Sequence, residues 1–248
     1  MKKLSLALVF SVLLLPTLTT FAATQTADEI VEKHLAAIGG RAALAKLTSR
    51  KAVGTVTLTT EAGDLTGPAE LYTKAPNKSR AMLSLDLTPV GMSETMVIDQ
   101  RFNGTEGWAK NSMQGDTQIL GNQLDNMRNN SFPSSLLTYK EQGTKIELLA
   151  KETVGGKELI VLQVTPKVGS SAKIYLDPQT FLVVKAVSRI SSPEVGELEQ
   201  TSEQSDYRAV DGIQVAFSVV NTSAVQKITI KLKTVEHNVA MDDAMFNK

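Results

Sequence analysis

The side chains that could carry out chemistry in this chain are few and lie far apart. The sequence has no Cys and two His, His34 and His237. A protein metal site needs three or four ligands, and paired histidine ligands usually follow short spacings such as H-x-x-x-H. The two histidines are separated by most of the chain. We therefore expect no metal, no cofactor and no thiol chemistry.

Other catalytic patterns are also missing or weak. No serine lies in G-x-S-x-G, and neither a dinucleotide-binding glycine fingerprint nor a phosphate-binding loop occurs. Carboxylates are paired at Glu197 with Glu199 and at Asp242 with Asp243. Aromatic residues make up only 5% of the chain, so no aromatic cleft accompanies these pairs, and a solvated surface is favoured over a glycosidase site. We expect no enzyme, with a triad assembled from distant residues as an open alternative.

The amino terminus has the pattern of an export signal. Two lysines precede an apolar run from Leu4 to Leu15, and Thr20 and Ala22 supply the small residues of a cleavage site. A bilayer-spanning helix needs about 20 apolar residues, and this run is shorter. We predict a signal peptide over residues 1–22 and one soluble, secreted domain over residues 23–248.

The charge balance argues against nucleic acid as a partner. The chain has 26 basic and 26 acidic residues, and removal of the signal with its two lysines leaves the mature chain slightly acidic. A near-neutral surface has no general attraction for phosphate backbones. The missing Cys also excludes an acylated cysteine after the cleavage site.

The elements that must position any site are a helical start and a long β-rich region. Thr26 and Glu29 form a capping-box pattern before an apolar stripe that ends at Gly39. After Ser49 the apolar residues alternate with polar ones, most clearly from Lys227 to Lys233, which predicts half-buried strands. We expect about nine to eleven strands, joined by short turns and therefore antiparallel.

One segment interrupts the strands. Between Asn111 and Gly143 the twofold alternation stops and apolar residues recur at helical spacing. We interpret residues 116–139 as a mobile helical cover whose apolar stripe packs on the sheet. The strand Glu197–Ser205 is polar on both faces, which favours an exposed edge or rim strand.

Five segments carry patterns that are informative in combination. They comprise an opening helix, a central hairpin, a strand–Asp–turn–strand unit, a penultimate hairpin and a closing segment, at residues 27–40, 152–159, 174–185, 206–213 and 238–246. In this order they resemble the LolA/LolB-like superfamily of periplasmic outer-membrane lipoprotein-sorting proteins. The resemblance implies a mainly β (α+β) fold, in which a large antiparallel sheet is curled into an unclosed half-barrel with helices covering its concave face.

The resemblance also implies a function. It predicts a single LolA-like, lipid-binding domain over residues 23–248 and a periplasmic carrier or sensor that holds a lipid or the acyl chains of a lipoprotein. The missing Cys matches the soluble carrier rather than the lipid-anchored receptor. We expect eight residues to line the cavity or form its lid, although each also fits an ordinary core position: Leu83, Leu85, Met96, Ile98, Ile119, Leu120, Leu124 and Met127.

A second interpretation uses the same scaffold differently. In it the chain is a protein-interaction module, such as an envelope-stress sensor whose partner is another envelope protein. Its concave face would be filled by its own side chains, and a strand edge would bind the partner. An unrecognised hydrolase is a third, weaker alternative.

Overall fold

The structure, a computed structural model, describes residues 25–192 and 196–248. The predicted signal peptide, residues 1–22, lies outside the described residues. No described helix combines the length and the apolar character needed to cross a bilayer.

A 14-stranded antiparallel sheet dominates this part of the chain. Its strand order is β6-β5-β4-β3-β2-β1-β14-β13-β12-β11-β10-β9-β7, and β8 pairs with β9. The strands are β1 (Ser49–Thr60), β2 (Gly63–Lys74), β3 (Lys78–Asp86), β4 (Thr95–Phe102), β5 (Gly107–Asn111), β6 (Gly115–Ile119), β7 (Lys145–Leu148), β8 (Glu152–Val154), β9 (Lys157–Thr165), β10 (Ala172–Leu176), β11 (Val183–Ser192), β12 (Gly196–Val210), β13 (Ile213–Thr222) and β14 (Lys227–His237).

The predicted fold class is confirmed, because the sheet is antiparallel, is not closed and has the form of a half-barrel. The structure has more strands than the alternation indicated. The additional ones include β5 and β6 with 5 residues each, β7 with 4 and β8 with 3. Such short strands contain too few residues to display a twofold pattern.

Within residues 25–192 and 196–248, three α-helices accompany the sheet: α1 (Ala27–Ala37), α2 (Arg41–Leu44) and α3 (Gly121–Asn129). The capping box predicted for α1 is present. The Glu29 amide donates to Thr26 Oγ1 at 3.2 Å, and the Thr26 amide donates to Glu29 Oε2 at 3.0 Å. Gly39, with φ +133°, and Gly40, with φ +87°, then turn the chain in conformations that an L side chain rarely adopts.

The helix α1 packs into the largest core cluster. Ile30, Val31 and Leu35 are fully buried there, together with Leu162 and Leu176 from the sheet. Burying an aliphatic side chain of this size contributes about 1.5–3 kcal/mol. This apolar stripe therefore holds α1 against the sheet.

Two smaller clusters extend the buried face across strands β1 to β6. The second cluster joins Val56, Leu65, Ala69, Leu85 and Leu87. The third joins α3 to the edge of the sheet through Leu124, Phe102 and Ile119. Helices thus cover the buried face at two separate places, α1 on the first cluster and α3 on the third.

Glycines allow neighbouring strands to approach closely where the sheet bends. A Cβ atom at Gly67 on β2 would lie 1.8 Å from the Ser84 carbonyl oxygen on β3. A Cβ atom at Gly54 on β1 would lie 2.1 Å from the Lys231 carbonyl oxygen, at a shift in the β1–β14 register. Glycine inside a strand is typical of such close approaches, which curve a sheet.

The structure corrects two details of the sequence interpretation. The segment 116–139 is not helical throughout, because β6 occupies its start and pairs with β5 through a hairpin at Gly115. The strand β12, which contains Glu197–Ser205, is not at an edge, since it pairs with both β11 and β13. None of its side chains is buried, so this part of the sheet tolerates polar residues on both faces.

Candidate functional site: a covered cavity in the half-barrel

A cavity of about 470 Å³ lies beside the largest core cluster. Its sheet wall is mostly apolar and comes from strands on both sides of the β1–β14 pair: Leu71, Ile174, Val183, Val219, Ile230 and Leu232. Leu71 and Leu232 also pack against the first cluster, whereas Ile230 packs against the second. The cavity therefore occupies the concave face where these two clusters meet.

A short segment between α3 and β7 forms the other side of the cavity; we call residues 130–136 the roof segment. Asn130, Ser131 and Leu136 from this segment line the cavity. Its anchors are the Phe132 amide, which donates to the Pro76 carbonyl oxygen at 2.8 Å, and the buried side chain of Leu136. Leu136 is the one fully buried side chain of the roof segment, and the half-buried Phe132 packs against the same core cluster.

The roof segment also separates this cavity from a second one of about 390 Å³. Asn130, Ser135 and Leu136 line both cavities. Tyr139, Val164 and Ala172 are among the other lining residues of the second cavity. Movement of the roof segment would therefore join two spaces on the same side of the sheet.

The helix α3, which directly precedes the roof segment, is held to the sheet by polar contacts on two sides. Asn126 on α3 exchanges two hydrogen bonds, of 2.8 and 3.2 Å, with Ser170 in the loop between β9 and β10. Asn129 donates to the Val168 carbonyl oxygen in the same loop at 2.7 Å. At the other side Arg128 donates to the Thr105 carbonyl oxygen at 3.0 Å. α3 thus connects opposite regions of the sheet across its concave face.

One cationic side chain projects into the cavity wall. Arg50 on β1 is a lining residue, and its guanidinium carbon lies 5.7 Å from the centre of the Phe132 ring. Burial lowers the pKa of Arg50 from its ordinary value, and no charged neighbour offsets this effect within the described chain. The residue faces the same side of the sheet as Ala52, two positions along the strand.

Polar neighbours flank Arg50 on both adjacent strands. Thr73 on β2 and His237 on β14 are its direct cross-strand partners. Thr73 Oγ1 and His237 Nε2 are buried and have no hydrogen-bond partner among the residues described. The other ring nitrogen of His237, Nδ1, lies 3.3 Å from an Asp211 carboxylate oxygen. Burial is the main factor that lowers the pKa of His237.

The two remaining titratable groups in the wall are satisfied. His34 Nδ1 lies 2.9 Å from the Phe181 carbonyl oxygen, and burial lowers the pKa of this histidine. The Tyr207 hydroxyl is 2.7 Å from the Val183 carbonyl oxygen and 2.8 Å from Gln204 Oε1. Burial raises the pKa of Tyr207. These groups are engaged in holding the fold.

The eight residues selected from the sequence are divided among neighbouring regions. Leu83, Leu85 and Met96 belong to the second cluster. Ile98 on β4 is partly buried and pairs with Leu83 on β3. Ile119, Leu124 and Met127 meet in the third cluster, under α3. Leu120 is 63% exposed. None of the eight is among the residues that line the 470 Å³ cavity, so their role as a lining or lid stays a prediction.

The carboxylate pairs do not converge on a reactive centre. Asp242 accepts a hydrogen bond from the Ala244 amide at 2.9 Å, and Asp243 bridges Lys74 and Lys78 at 2.8 and 2.7 Å. Glu197 lies 3.9 Å from Arg189 at the surface. No group of three or more His, Asp or Glu side chains in the described chain is arranged to hold a metal ion.

None of the residues that line the cavity was predicted from the sequence as a site residue. The alternation from Lys227 to Lys233 nevertheless placed Ile230 and Leu232 on a buried face. The register with β1 and β2 then brings Arg50, Thr73 and His237 into one row. A polar residue at a buried position of an alternating strand, such as Arg50 before Ala52, is the signal that could have indicated the site.

Comparison with known proteins confirms the resemblance at the level of the fold. No family model and no curated protein matches the sequence. A solved domain named for outer-membrane lipoprotein sorting, from Vibrio parahaemolyticus, is 12% identical with a TM-score of 0.56, over 89% of this chain and 96% of that one. A LolA superfamily protein from Nitrosomonas europaea is 14% identical with a TM-score of 0.56, over 91% and 99%.

A third similar structure carries no functional name. It is a DUF1329 family protein from Desulfovibrio piger, 12% identical, with a TM-score of 0.58 over 90% of this chain and 98% of that chain. All three cover nearly the full length of both chains. The described chain therefore has the fold of LolA superfamily and lipoprotein-sorting domains.

Proposed function

We propose that this chain, with its LolA-like fold, is an exported, periplasmic carrier or sensor that binds the acyl chains of a lipid or lipoprotein in the covered cavity. The supporting observation is the cavity of about 470 Å³, whose sheet wall is mainly apolar. Ligand pockets commonly enclose about 300–1,000 Å³ and are lined mostly by apolar side chains. Apolar burial contributes about 25 cal/mol per Å², so an acyl chain would bind without covalent chemistry.

The names of the similar structures support the same proposal. One domain is named for outer-membrane lipoprotein sorting and another for the LolA superfamily. The roof segment and α3 form a cover held by two buried leucines, Leu136 and Leu124, and by a few polar contacts. This is less buried apolar contact than α1 makes with the first cluster, so the cover can open while the core stays folded, as uptake and release of a chain require.

The proposal is tested by filling the cavity. Ala186 on β11 lines it, and Ala186→Phe places an aromatic ring in the space that the chain would occupy. We expect this variant to fold and to lose binding of a fluorescent fatty-acyl probe. Ala209→Phe is the matched control, because Ala209 is exposed on β12 and its substitution leaves the cavity open.

Mass spectrometry of lipids that co-purify with the mature protein supplies the second measurement. We expect acyl lipids in the wild type and the Ala209→Phe variant, and a strong reduction in Ala186→Phe. A wild type that carries no lipid and binds no acyl probe would contradict the carrier and favour the protein-interaction module.

A further inference from the structure

Arg50, the arginine of the cavity wall, is half-buried, and no acidic side chain in the described chain pairs with it. Arg50 lines a cavity whose sheet wall is mainly apolar, and its guanidinium lies 5.7 Å from the centre of the Phe132 ring. Two other arginines of the same sheet are paired, since Arg80 on β3 and Arg101 on β4 both form ion pairs with the Asp99 carboxylate, at 2.8 and 2.6 Å. A charge withdrawn from water without a partner is costly, so a ligand that neutralises Arg50 would stabilise the folded chain.

The neighbouring strand adds a second unsatisfied group. Thr73 lies directly opposite Arg50 on β2 and lines the same cavity, and its buried hydroxyl has no partner within the described residues. A guanidinium offers parallel N–H donors that match the two oxygens of a carboxylate or phosphate, and a threonine hydroxyl can donate a further hydrogen bond. Together they present hydrogen-bond donors on one side of a cavity whose sheet wall is mainly apolar.

The apolar wall continues from these donors along the sheet. Leu232 and Ile230 lie on β14, the strand that pairs with β1 on the side away from Thr73. Both line the cavity. A molecule with its oxyanion at Arg50 could therefore extend an acyl chain over Leu232 and Ile230.

We propose that Arg50 and Thr73 bind the oxyanion of an acidic amphiphile, a fatty-acid carboxylate or a phospholipid phosphate, whose acyl chain fills the cavity. This inference rests on the proposed carrier function and specifies its ligand class. It favours an acidic lipid over the uncharged acyl groups of a lipoprotein. Ion pairing and hydrogen bonding would supply the partners that both side chains lack in the free protein.

The test compares probes of equal chain length and different head groups. Palmitic acid presents a carboxylate, dipalmitoyl phosphatidic acid presents a phosphate, and monopalmitoylglycerol and dipalmitoylglycerol are their uncharged counterparts. Binding is measured for the wild type, Arg50→Met, Thr73→Val and Arg208→Met. Arg208 is the matched control, because its guanidinium also lies over a phenylalanine ring, Phe217 at 4.5 Å, but does not line the cavity.

We expect the wild type to prefer at least one acidic probe over its uncharged counterpart by about tenfold or more, the equivalent of one charge-assisted hydrogen bond. Arg50→Met should abolish this preference and retain binding of the uncharged probes. Thr73→Val should reduce it severalfold, and Arg208→Met should leave it unchanged. The acidic probe that binds more tightly shows whether the site takes the oxyanion of a fatty-acid carboxylate or of a phospholipid phosphate.

Stability measurements separate a binding role from a structural one. Arg50→Met should keep or raise the melting temperature, because it removes an unpaired charge that is withdrawn from water. Equal wild-type affinity for acidic and uncharged probes would overturn the oxyanion site but would leave the carrier function in place. So would equal loss of all probes in Arg50→Met, or loss of the acidic preference in Arg208→Met. Failure of the wild type to bind any probe would overturn the carrier function as well.

Discussion

Asn126 on α3 and Ser170 in the β9–β10 loop exchange two hydrogen bonds. The Ser170 amide donates to Asn126 Oδ1 at 2.8 Å, and Asn126 Nδ2 donates to Ser170 Oγ at 3.2 Å. These residues lie 44 positions apart. They connect the helix that packs on β4–β6 to the opposite part of the sheet. The pair is therefore a natural point at which to hold the cover closed.

The first prediction uses this pair to lock the cover. The chain has no native Cys, so Asn126→Cys combined with Ser170→Cys introduces one possible disulfide. We expect the oxidised protein to take up a fatty-acyl probe at least about tenfold more slowly than the reduced protein, because opening of the cover would require local unfolding of α3. Stopped-flow fluorescence measures the uptake rate.

The two single-cysteine variants are the controls for this lock, and their uptake should not respond to oxidation. Identical rates in the oxidised and reduced double variant would contradict a mobile cover. In that case the acyl chain would enter by another route.

The second prediction compares a core leucine with a cavity leucine. Leu162 is fully buried in the first cluster, and Leu162→Ala should lower the free energy of unfolding by about 2–5 kcal/mol. Leu232 borders the cavity and is only partly buried, so Leu232→Ala should cost less than half as much. Urea denaturation of the lipid-free protein measures both. Equal losses would indicate that side chains fill the space in solution, as the interaction-module alternative requires.

The third prediction concerns the turn between β10 and β11. Asp177 is buried and accepts hydrogen bonds from the amides of Gln179 at 2.8 Å and Thr180 at 3.0 Å. The ion pair with Lys157, together with these amides, lowers the pKa of Asp177 to about 2. The stabilisation is present above the ordinary pKa of 3.8 and is lost as the pH falls towards 2.

Asp177→Asn should therefore cost about 2 kcal/mol at pH 7 and much less near pH 2. Asp206→Asn is the control, because its carboxylate pairs with Arg208 at the surface, where ion pairs contribute little. Chemical denaturation at both pH values provides the comparison. A loss for Asp177→Asn that does not change with pH would contradict the assigned ion pair.

The fourth prediction follows from the buried histidine of α1. Burial lowers the pKa of His34 below its ordinary value of 6.5, so the folded protein binds a proton at lower pH than the unfolded chain. The free energy of unfolding should decrease as the pH falls below 6.5, by up to about 1.4 kcal/mol per pH unit. His34→Gln should lack this contribution, whereas Lys33→Gln, on the exposed side of α1, should retain it. Equal slopes for the wild type and His34→Gln between pH 6.5 and 5 would refute the assignment.

The sequence predicted those features whose signals are local. Thr26 and Glu29 alone predict the capping box of α1, and the alternation in β14 shows directly which side chains share a face. Strand β6 escaped prediction because Gly115–Ile119 is too short for a periodic signal. Short turns predicted the antiparallel pairing, because successive antiparallel strands pair with their neighbours, whereas the half-barrel form was implied by the family resemblance.

The site was harder to predict than the fold for a physical reason. Alternation shows that Ile230 and Leu85 both face inward, but it does not show whether the opposing surface is packed side chains or open space. That distinction depends on where α1 and the roof segment lie. The row of Thr73, Arg50 and His237 likewise depends on pairing between residues that are far apart in the chain.

The pairing of β1 with β14 has a consequence for how the chain folds. The register joins Arg50 to His237 and Thr59 to Lys227, so the middle of the sheet is closed by the first and last strands. Until the last strand has been synthesised, β1 and β13 are two bare hydrogen-bonding edges, which are the kind of edge that promotes aggregation. Such non-local pairing slows folding. A nascent chain of this protein is therefore a strong candidate client for a chaperone, and a premature stop before Lys227 should yield insoluble fragments.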